Sequence, residues 1–155
     1  MHVHKPFYAS GFLYHLKTQQ ILLHQTTARN DSSPFWSMFG GISHEGENAQ
    51  DVFRRTIYEF IKLQLSAKRI YPVYDYYFHA RNKIHYVFYA LVKNMRELSI
   101  PPGDTMMSWF TFKQTTKLPF DDQTKQDIIV SERVIKAQAR SKELELLSSS
   151  AHSLL

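Results

Sequence analysis

The chain has 155 residues, of which 43% are hydrophobic and 21% are charged; its formal net charge is +5 and it contains no cysteine. This length and balance fit one globular domain with a real core, and they exclude an intrinsically disordered chain. The lack of cysteine excludes a disulfide framework, a thiolate zinc site and a cysteine nucleophile.

Two features of the chain bear on its partners and its location. Residues 1–12 lack the basic start and apolar run of a signal peptide, and no apolar run approaches membrane-spanning length, so we expect a cytoplasmic protein without a membrane partner. The positive balance favours anionic partners such as nucleotides. Its charges are spread as short pairs, for example Arg54-Arg55 and Lys68-Arg69. This pattern favours an ordinary solvated basic surface over a nucleic-acid-binding stripe.

Strand-forming residues dominate the start of the chain. Phe7–Leu16 and Ile21–Gln25 are rich in aromatic and β-favouring residues and are separated by a polar segment, which predicts a hairpin. The polar residues of Thr26–Pro34 predict a loop. The short apolar run Phe35–Phe39 then leads into a pair of glycines that begins at Gly40.

Residues Ala49–Leu65 have the spacing of an amphipathic helix. Apolar side chains recur there at intervals of three and four residues: Phe53, Ile57, Phe60 and Ile61. Asn48 is a good N-cap, and Asp51 three residues later predicts a capping box with a short carboxylate. Thr56 and Glu59, together with Phe60, project from one side of this helix because they lie at i, i+3 and i+4.

A second hairpin is predicted further along the chain. Arg69–Ala80 and Lys83–Val92 are strand-like and are joined at Arg81-Asn82, with Pro72 expected at the entry or on an edge of the first strand. Three aromatic side chains share one face of that strand: Tyr74, Tyr76 and Phe78. Such a row could stack a base, but filling of the core is the favoured interpretation.

The end of the chain adds one strand and one helix. Met107–Phe112 predicts a strand, and Asp121 or Asp122 is expected to cap a helix that runs to about Leu147. The expected buried side of this helix consists of Ile128, Ile129, Val134, Ile135 and Ala137. Residues 1–147 are therefore interpreted as a single domain and 148–155 as a flexible tail. The order of elements predicts an α+β fold, an α/β/α sandwich with a mixed sheet between helices.

The residues with chemical potential gather in Gly40–Leu65, GGISHEGENAQDVFRRTIYEFIKLQL, which contains three of the chain's five glycines. Glycines let the backbone approach a ligand, and acids on a following helix can hold a divalent cation. The eight histidines are dispersed and form no zinc-binding pattern. The sequence also lacks a nucleophile elbow, a Walker-type loop and a GxGxxG motif.

The stretch Gly41–Leu63 resembles the Nudix box of the Nudix hydrolases. Its Gly41, Glu47, Arg55 and Glu59 fall on the spacing of the glycine, glutamate, arginine and first paired glutamate of that motif. Flanking segments agree with the resemblance, which extends from about Phe7 to about Ala139, and it implies a Nudix-like mixed sheet between helices.

Several positions depart from the motif. Thr56 and Phe60 stand where the motif has glutamates, and Lys62 stands where it has its late glycine. His44 replaces an acid that is common before the Gly-Glu pair, and Phe39 replaces a common proline. Two of the three acids on the helix face are thereby lost, which makes a cluster of several metal ions unexpected.

The resemblance implies roles for the residues that remain. Glu59 and Glu47 would be catalytic and would hold Mg²⁺ or Mn²⁺, with Asp104 as a third candidate ligand. Gly40, Gly41 and their neighbours Phe39 and Ile42 would approach the phosphates through the backbone, and Arg55 would organise the acids of the box.

Three functional hypotheses follow. The first is a weak metal-dependent hydrolase that cleaves the pyrophosphate bond of a nucleoside diphosphate linked to another group. The second is a catalytically silent Nudix domain that binds a nucleotide or a protein partner, and the third is a nucleic-acid binder on the same fold. The sequence favours the hydrolase over the silent domain by a narrow margin, because the spacing and Glu47 persist. The identity of the substrate depends on residues outside the motif.

Overall fold

The computed structural model describes residues 4–26, 34–93 and 106–153, with the side chains of 149–153 left aside. Its elements in chain order are β1 (Tyr8–His15), β2 (Gln20–Thr26), β3 (Phe35–Ser37), β4 (Phe39–Ile42), α1 (Ala49–Ile61), β5 (Ile70–Phe78), β6 (Lys83–Val92), β7 (Met107–Thr111), α2 (Phe112–Thr115) and α3 (Asp122–Ser153). Within the described residues, no helix combines the length and the apolar character needed to cross a membrane.

The strands form one mixed seven-stranded sheet whose main order is β3-β2-β1-β6-β5. β1 and β6 are parallel, and the other pairs are antiparallel. β1 pairs with β2 near its carboxyl end and with β4 near its amino end. Both predicted hairpins are confirmed, as β1–β2 and β5–β6, and Pro72 lies on the edge strand β5 beside an irregularity in the pairing.

Helices cover both faces of the sheet, which confirms the predicted α/β/α sandwich. On one face α1 buries Phe53, Ile57 and Ile61 completely against β1 and β6. On the other face α2 and α3 pack on a second cluster that includes Phe12 and Trp36. The burial of these apolar side chains is the main favourable contribution to folding.

The start of α1 agrees with the sequence prediction, but its end does not. Asn48 accepts a hydrogen bond from the backbone N–H of Asp51, and the Asp51 carboxylate accepts one from the backbone N–H of Asn48. The helix ends at Ile61 and not at Leu65, because Lys62 takes the left-handed conformation with φ 56°. A glycine would adopt this conformation without a steric cost, whereas a lysine is strained in it.

The prediction for α3 was partly wrong. The helix continues to Ser153, past the predicted end at Leu147. Ile128 and Ile135 are buried and Val134 is half-buried, as expected, whereas Ile129 and Ala137 are exposed. The buried face is completed by two polar residues, Asp127 and Ser131, and the Ser131 hydroxyl donates to the Asp127 carbonyl at 2.7 Å. Because polar side chains occupy part of this face, the apolar pattern alone misplaced it.

Candidate functional site

The predicted catalytic acids converge on one arginine. Glu47 receives two hydrogen bonds from the Arg55 guanidinium, at 2.8 Å from Nε and at 3.0 Å from an Nη, and a third at 2.7 Å from the backbone N–H of His44. Glu59 lies 3.2 Å from the other Nη of Arg55, and the guanidinium also donates to the Ile42 carbonyl at 2.9 Å. Arg55 therefore ties the end of β4 and the loop after it to the third turn of α1.

This ion pair fixes the charge of Glu47. The hydrogen bonds from Arg55 are the main reason that the pKa of Glu47 lies below its usual range, and the pairing in turn raises the pKa of Arg55. The Glu59 carboxylate is more than half exposed and is held only by the outer edge of the guanidinium. Arg55 contacts both acids, and its role as the organiser of the box stays a prediction.

Next to Glu59 on α1, the position of Phe60 is filled by an aromatic side chain that packs against other rings. Phe60 packs against Phe39 and His24, with ring centroids 5.3 and 4.8 Å apart respectively, and Phe39 lies 4.8 Å from His24. Each such pair contributes about 0.5–1.5 kcal/mol beyond its buried area. His24 Nε2 donates to the Met38 carbonyl at 3.0 Å, and burial lowers the pKa of His24. The position of the second paired glutamate is thus part of the hydrophobic packing.

Thr56, which stands at the position of a third acid of the motif, is also buried. It is 2% exposed, and its hydroxyl donates to the Val52 carbonyl one turn earlier at 2.8 Å. A Cβ atom on Gly41 would lie only 3.3 Å from the Thr56 Oγ1, so helix and strand meet closely here. Little room remains between α1 and β4 for a longer acidic side chain.

Within the described residues, the acids do not assemble the metal site that the resemblance implies. In residues 4–26, 34–93 and 106–153, no three side chains of His, Asp or Glu come together in a group that could hold a metal ion. Both oxygens of Glu47 accept hydrogen bonds from N–H donors, and one oxygen of Glu59 accepts a hydrogen bond from Arg55. Asp104, the third candidate ligand, lies outside the described residues, and the roles of Glu47 and Glu59 in catalysis stay predictions.

The predicted phosphate-binding segment is strand β4. Its backbone pairs with β1, with Gly40 opposite Ser10 and Gly41 opposite Ala9, and the Phe39 side chain is fully buried. A Cβ on Gly40 would lie 2.6 Å from the Tyr8 hydroxyl and 2.7 Å from the Ser10 Cβ. Gly40 is therefore needed for the packing of β1, while an approach of β4 to phosphate stays a prediction.

A cavity of about 560 Å³ opens beside this packing, on the face of the sheet that carries α3. Its walls include Tyr8, Met38 and Phe78, and its polar groups come from Ser10, His85, Arg81 and the start of α3, which supplies Asp121, Asp122 and Asp127. This volume lies within the range of ordinary small-molecule sites. The Arg81 guanidinium stands 5.1 Å from the centre of the Tyr8 ring.

A buried chain of hydrogen bonds forms the inner wall of the cavity. Ser10 Oγ lies 2.8 Å from His85 Nε2, His85 Nδ1 lies 2.7 Å from the Tyr76 hydroxyl, and that hydroxyl lies 3.0 and 3.1 Å from the Asp127 oxygens. Asp127 also accepts from the Tyr74 hydroxyl at 2.5 Å and from the Gln123 amide at 3.0 Å. We call Ser10, His85, Tyr76 and Asp127 the polar relay.

Burial shifts the pKa values of the polar relay. It lowers the pKa of His85 to about 4, with Arg81 acting in the same direction, and it raises the pKa of Asp127 against the opposing effect of its three hydrogen-bond donors. Burial, helped by Asp127, also raises the pKa of Tyr76. His85 is therefore neutral and Tyr76 is protonated at neutral pH.

The sequence did not reveal these cavity residues. The histidines are dispersed in the sequence. The predicted core role of Tyr74 and Tyr76 agrees with their packing against the second apolar cluster, but both are half-buried and also donate their hydroxyls to Asp127. The available signal was the second hairpin, because Tyr76 and His85 are cross-strand partners in it. Ser10 and Asp127 join from distant parts of the chain, and no local pattern connects them.

Comparison with known proteins gives a consistent fold. No family model matches the chain, and no curated protein matches it. Among solved structures, a mutT/nudix family protein from Listeria innocua is similar, with 19% identity and a TM-score of 0.67 over 88% of this chain and 98% of that one.

Two further structures have the same architecture. The NUDIX domain of Shewanella oneidensis NrtR, solved with ADP ribose, is 15% identical with a TM-score of 0.65 over 86% of this chain and 90% of that one. A C. elegans Ap4A hydrolase is 12% identical with a TM-score of 0.63 over 84% and 98% respectively. The chain therefore has the Nudix fold, as its resemblance to the Nudix box predicted.

Proposed function

We propose that this Nudix-fold chain is a ligand-binding domain that takes the base of a nucleoside or nucleotide into the cavity between Tyr8 and the start of α3, without metal-dependent hydrolysis. The observation that carries the proposal is a contrast between two neighbouring places. The helix face that would hold metal ions is packed with Phe60 and Thr56, whereas the adjoining cavity is open and lined by aromatic and hydrogen-bonding groups.

The walls of the cavity suit a flat heteroaromatic ring. Tyr8, Phe78 and Met38 supply apolar and aromatic surface, and Ser10, His85 and Asp122 supply polar atoms at the ends. Ligand sites commonly combine these two features, because apolar contact supplies affinity and a few polar groups fix the orientation. Nucleotide-like ligands of the structural neighbours, ADP ribose and Ap4A, support the choice of ligand class.

The charges of the cavity separate the base from the phosphates. Three aspartates stand at the start of α3, at Asp121, Asp122 and Asp127, and Arg81 is the cation that faces them across the cavity. A phosphate group placed deep in the cavity would meet the buried Asp127 carboxylate and be repelled. We therefore place the base inside and any phosphate near Arg81 at the rim.

A second candidate function is the weak metal-dependent hydrolase. It is favoured by the preserved geometry of Glu47, Arg55 and Glu59 and by the exposed oxygen of Glu59. In that case a Mg²⁺ or Mn²⁺ ion would rest on Glu59 and Glu47, and Arg55 would have to release them. Nucleic acid is a less favoured partner, and a DNA complex of one neighbour, NrtR, is the observation in its support.

Calorimetric titration with nucleosides, nucleoside diphosphates and ADP ribose tests the proposal, with EDTA in one series and with Mg²⁺ or Mn²⁺ in another. We expect binding of equal strength in both series, and no cleavage of the pyrophosphate bond to give a nucleoside monophosphate. Ala80→Trp should abolish binding, because Ala80 is exposed and lines the cavity. Ala67→Trp is the matched control, since Ala67 is equally exposed but lies in a short 3-10 turn away from the cavity.

The two candidates give opposite results in this experiment. Formation of a nucleoside monophosphate from ADP ribose or from a nucleoside diphosphate, if it requires a divalent ion and is lost in Glu59→Gln, would establish the hydrolase. Binding that survives Ala80→Trp would show that the ligand lies elsewhere on the molecule, and the proposal would then be wrong.

A further inference from the structure

The polar relay contains a fixed direction of proton donation. Asp127 accepts from three neighbouring groups, the hydroxyls of Tyr74 and Tyr76 and the amide of Gln123, and a carboxylate is an acceptor only. The single proton of the Tyr76 hydroxyl is therefore directed at Asp127. The Tyr76 oxygen can then offer only lone pairs to its other neighbour, His85.

This direction determines the tautomer of His85. Its Nδ1 lies 2.7 Å from the Tyr76 oxygen and must carry a proton, because two lone pairs at this distance would repel. A neutral imidazole with a proton on Nδ1 has a bare lone pair on Nε2. Ser10 Oγ lies 2.8 Å from that Nε2, so the Ser10 hydroxyl donates its proton to His85.

Ser10 is thereby left with lone pairs alone to offer to the cavity. It is 2% exposed and lines the cavity beside His85, where bulk water does not surround it. A hydroxyl normally adapts to a donor or to an acceptor by turning. Here Asp127 prevents that turn through two intervening side chains, although it lies 117 positions away in the sequence.

We infer that the polar relay makes Ser10 an obligate hydrogen-bond acceptor and so selects ligands whose ring carries an amino or N–H group at that point. Ser10 is the specificity-determining residue, and His85, Tyr76 and Asp127 are positioning residues that act through it. This inference rests on the proposed function, because it assumes that a heteroaromatic ring enters the cavity.

The carboxylates at the mouth of the cavity reinforce this selection. Asp121 accepts from the backbone and hydroxyl of Thr124, at 2.7 and 3.0 Å, and Asp122 also borders the cavity. These groups are acceptors as well. Arg81 is the charged donor of the cavity wall, and it lies over the Tyr8 ring. A ring rich in donors is therefore matched better than one rich in acceptors.

Two pairs of probes that differ by one amino group test the selection: guanosine against inosine, and adenosine against purine riboside. We expect the parent to bind the amino member of at least one pair about fivefold or more tightly, which corresponds to one hydrogen bond to a neutral acceptor. Tyr76→Phe removes the group that fixes the tautomer. Ser10 can then turn, and the ratio should fall towards one.

Tyr74→Phe is the matched control. It also removes a hydroxyl that donates to Asp127. In the polar relay, however, His85 is hydrogen-bonded to the Tyr76 hydroxyl and not to the Tyr74 hydroxyl. The ratio between the two members of a pair should stay at the parent value. Loss of selectivity in both variants would overturn the inference, because it would indicate general disturbance of the cavity.

The tautomer can be measured without any ligand. The ¹⁵N shifts of the His85 ring should show a proton on Nδ1 in the parent and in Tyr74→Phe, and a proton on Nε2 or a mixture in Tyr76→Phe. A proton on Nε2 in the parent would overturn the inference. Equal binding of both members of each pair would overturn it while leaving the proposed function intact, and failure of every probe to bind would overturn the proposed function and the selection together.

Discussion

Restoring acids to the face of α1 should create a metal site that the residues described by the structure do not form. The change is Thr56→Glu together with Phe60→Glu, which would place two carboxylates beside Glu59. Phe60 would lose its ring contacts with Phe39 and His24, at a cost of roughly 1–3 kcal/mol. Because the buried Thr56 has little free space around it, its replacement by glutamate should cost about 1–3 kcal/mol more.

Binding of a metal ion should recover much of this loss. At a Mn²⁺ or Mg²⁺ concentration a hundred times the Kd, binding to the folded state contributes about 2.7 kcal/mol. For a chain of this length that is a rise in Tm of roughly 5–10 °C. Thermal unfolding with EDTA and with each metal measures the effect directly.

The matched control replaces the same positions by glutamine. Thr56→Gln with Phe60→Gln has the same shape without the charges and should show no response to metal, and neither should the parent. A parent whose Tm rises with Mn²⁺ as much as that of the acidic variant would contradict this prediction. The parent would then bind the metal ion without acids at Thr56 and Phe60. If the double variant does not fold, Phe60→Glu alone keeps the test available.

Three further changes probe the packing around the cavity and α1. Gly40→Ala should destabilise the fold by about 1–3 kcal/mol and weaken ligand binding, because its Cβ would press on the Tyr8 hydroxyl; urea unfolding that finds it no worse than Gly41→Ala would contradict this. Lys62→Gly should raise the unfolding free energy by up to about 1 kcal/mol, since relief of the left-handed strain outweighs the lost cation–π contact with Tyr58, and a lower urea midpoint would oppose that account. His85 has a pKa of about 4 in the folded chain, so the unfolded chain takes up the proton first as the pH drops. The free energy of unfolding should therefore fall by up to about 3 kcal/mol between about pH 6.5 and pH 4. The decline should be shallower in His85→Asn, and parallel pH profiles of the two proteins would contradict this.

Local patterns predicted most of the fold. The capping box at Asn48 and the apolar spacing of α1 depend on residues within a few positions of one another, and both agree with the structure. The positions of Gly41, Glu47, Arg55 and Glu59 likewise predicted the architecture through the family motif. Motif spacing constrains the fold because strand, loop and helix must keep their lengths.

The functional interpretation depended on contacts that sequence spacing does not encode. The sequence predicted the second hairpin but not its register, which sets Tyr76 opposite His85. Asp127 was not among the predicted buried residues of α3, and it is 1% exposed at the end of the polar relay. A buried polar group is stabilised by distant partners, and these are visible only once the sheet and α3 are assembled.

The central claim is that the chain binds a nucleotide by its base and leaves it intact. The most direct measurement is an incubation with guanosine diphosphate and Mg²⁺ or Mn²⁺ in which bound ligand and released phosphate are followed in the same sample, beside an EDTA control. The account predicts that intact ligand is bound to the same extent with metal and with EDTA, and that phosphate release stays at the level of the protein-free control. Phosphate release that depends on the metal ion would contradict it.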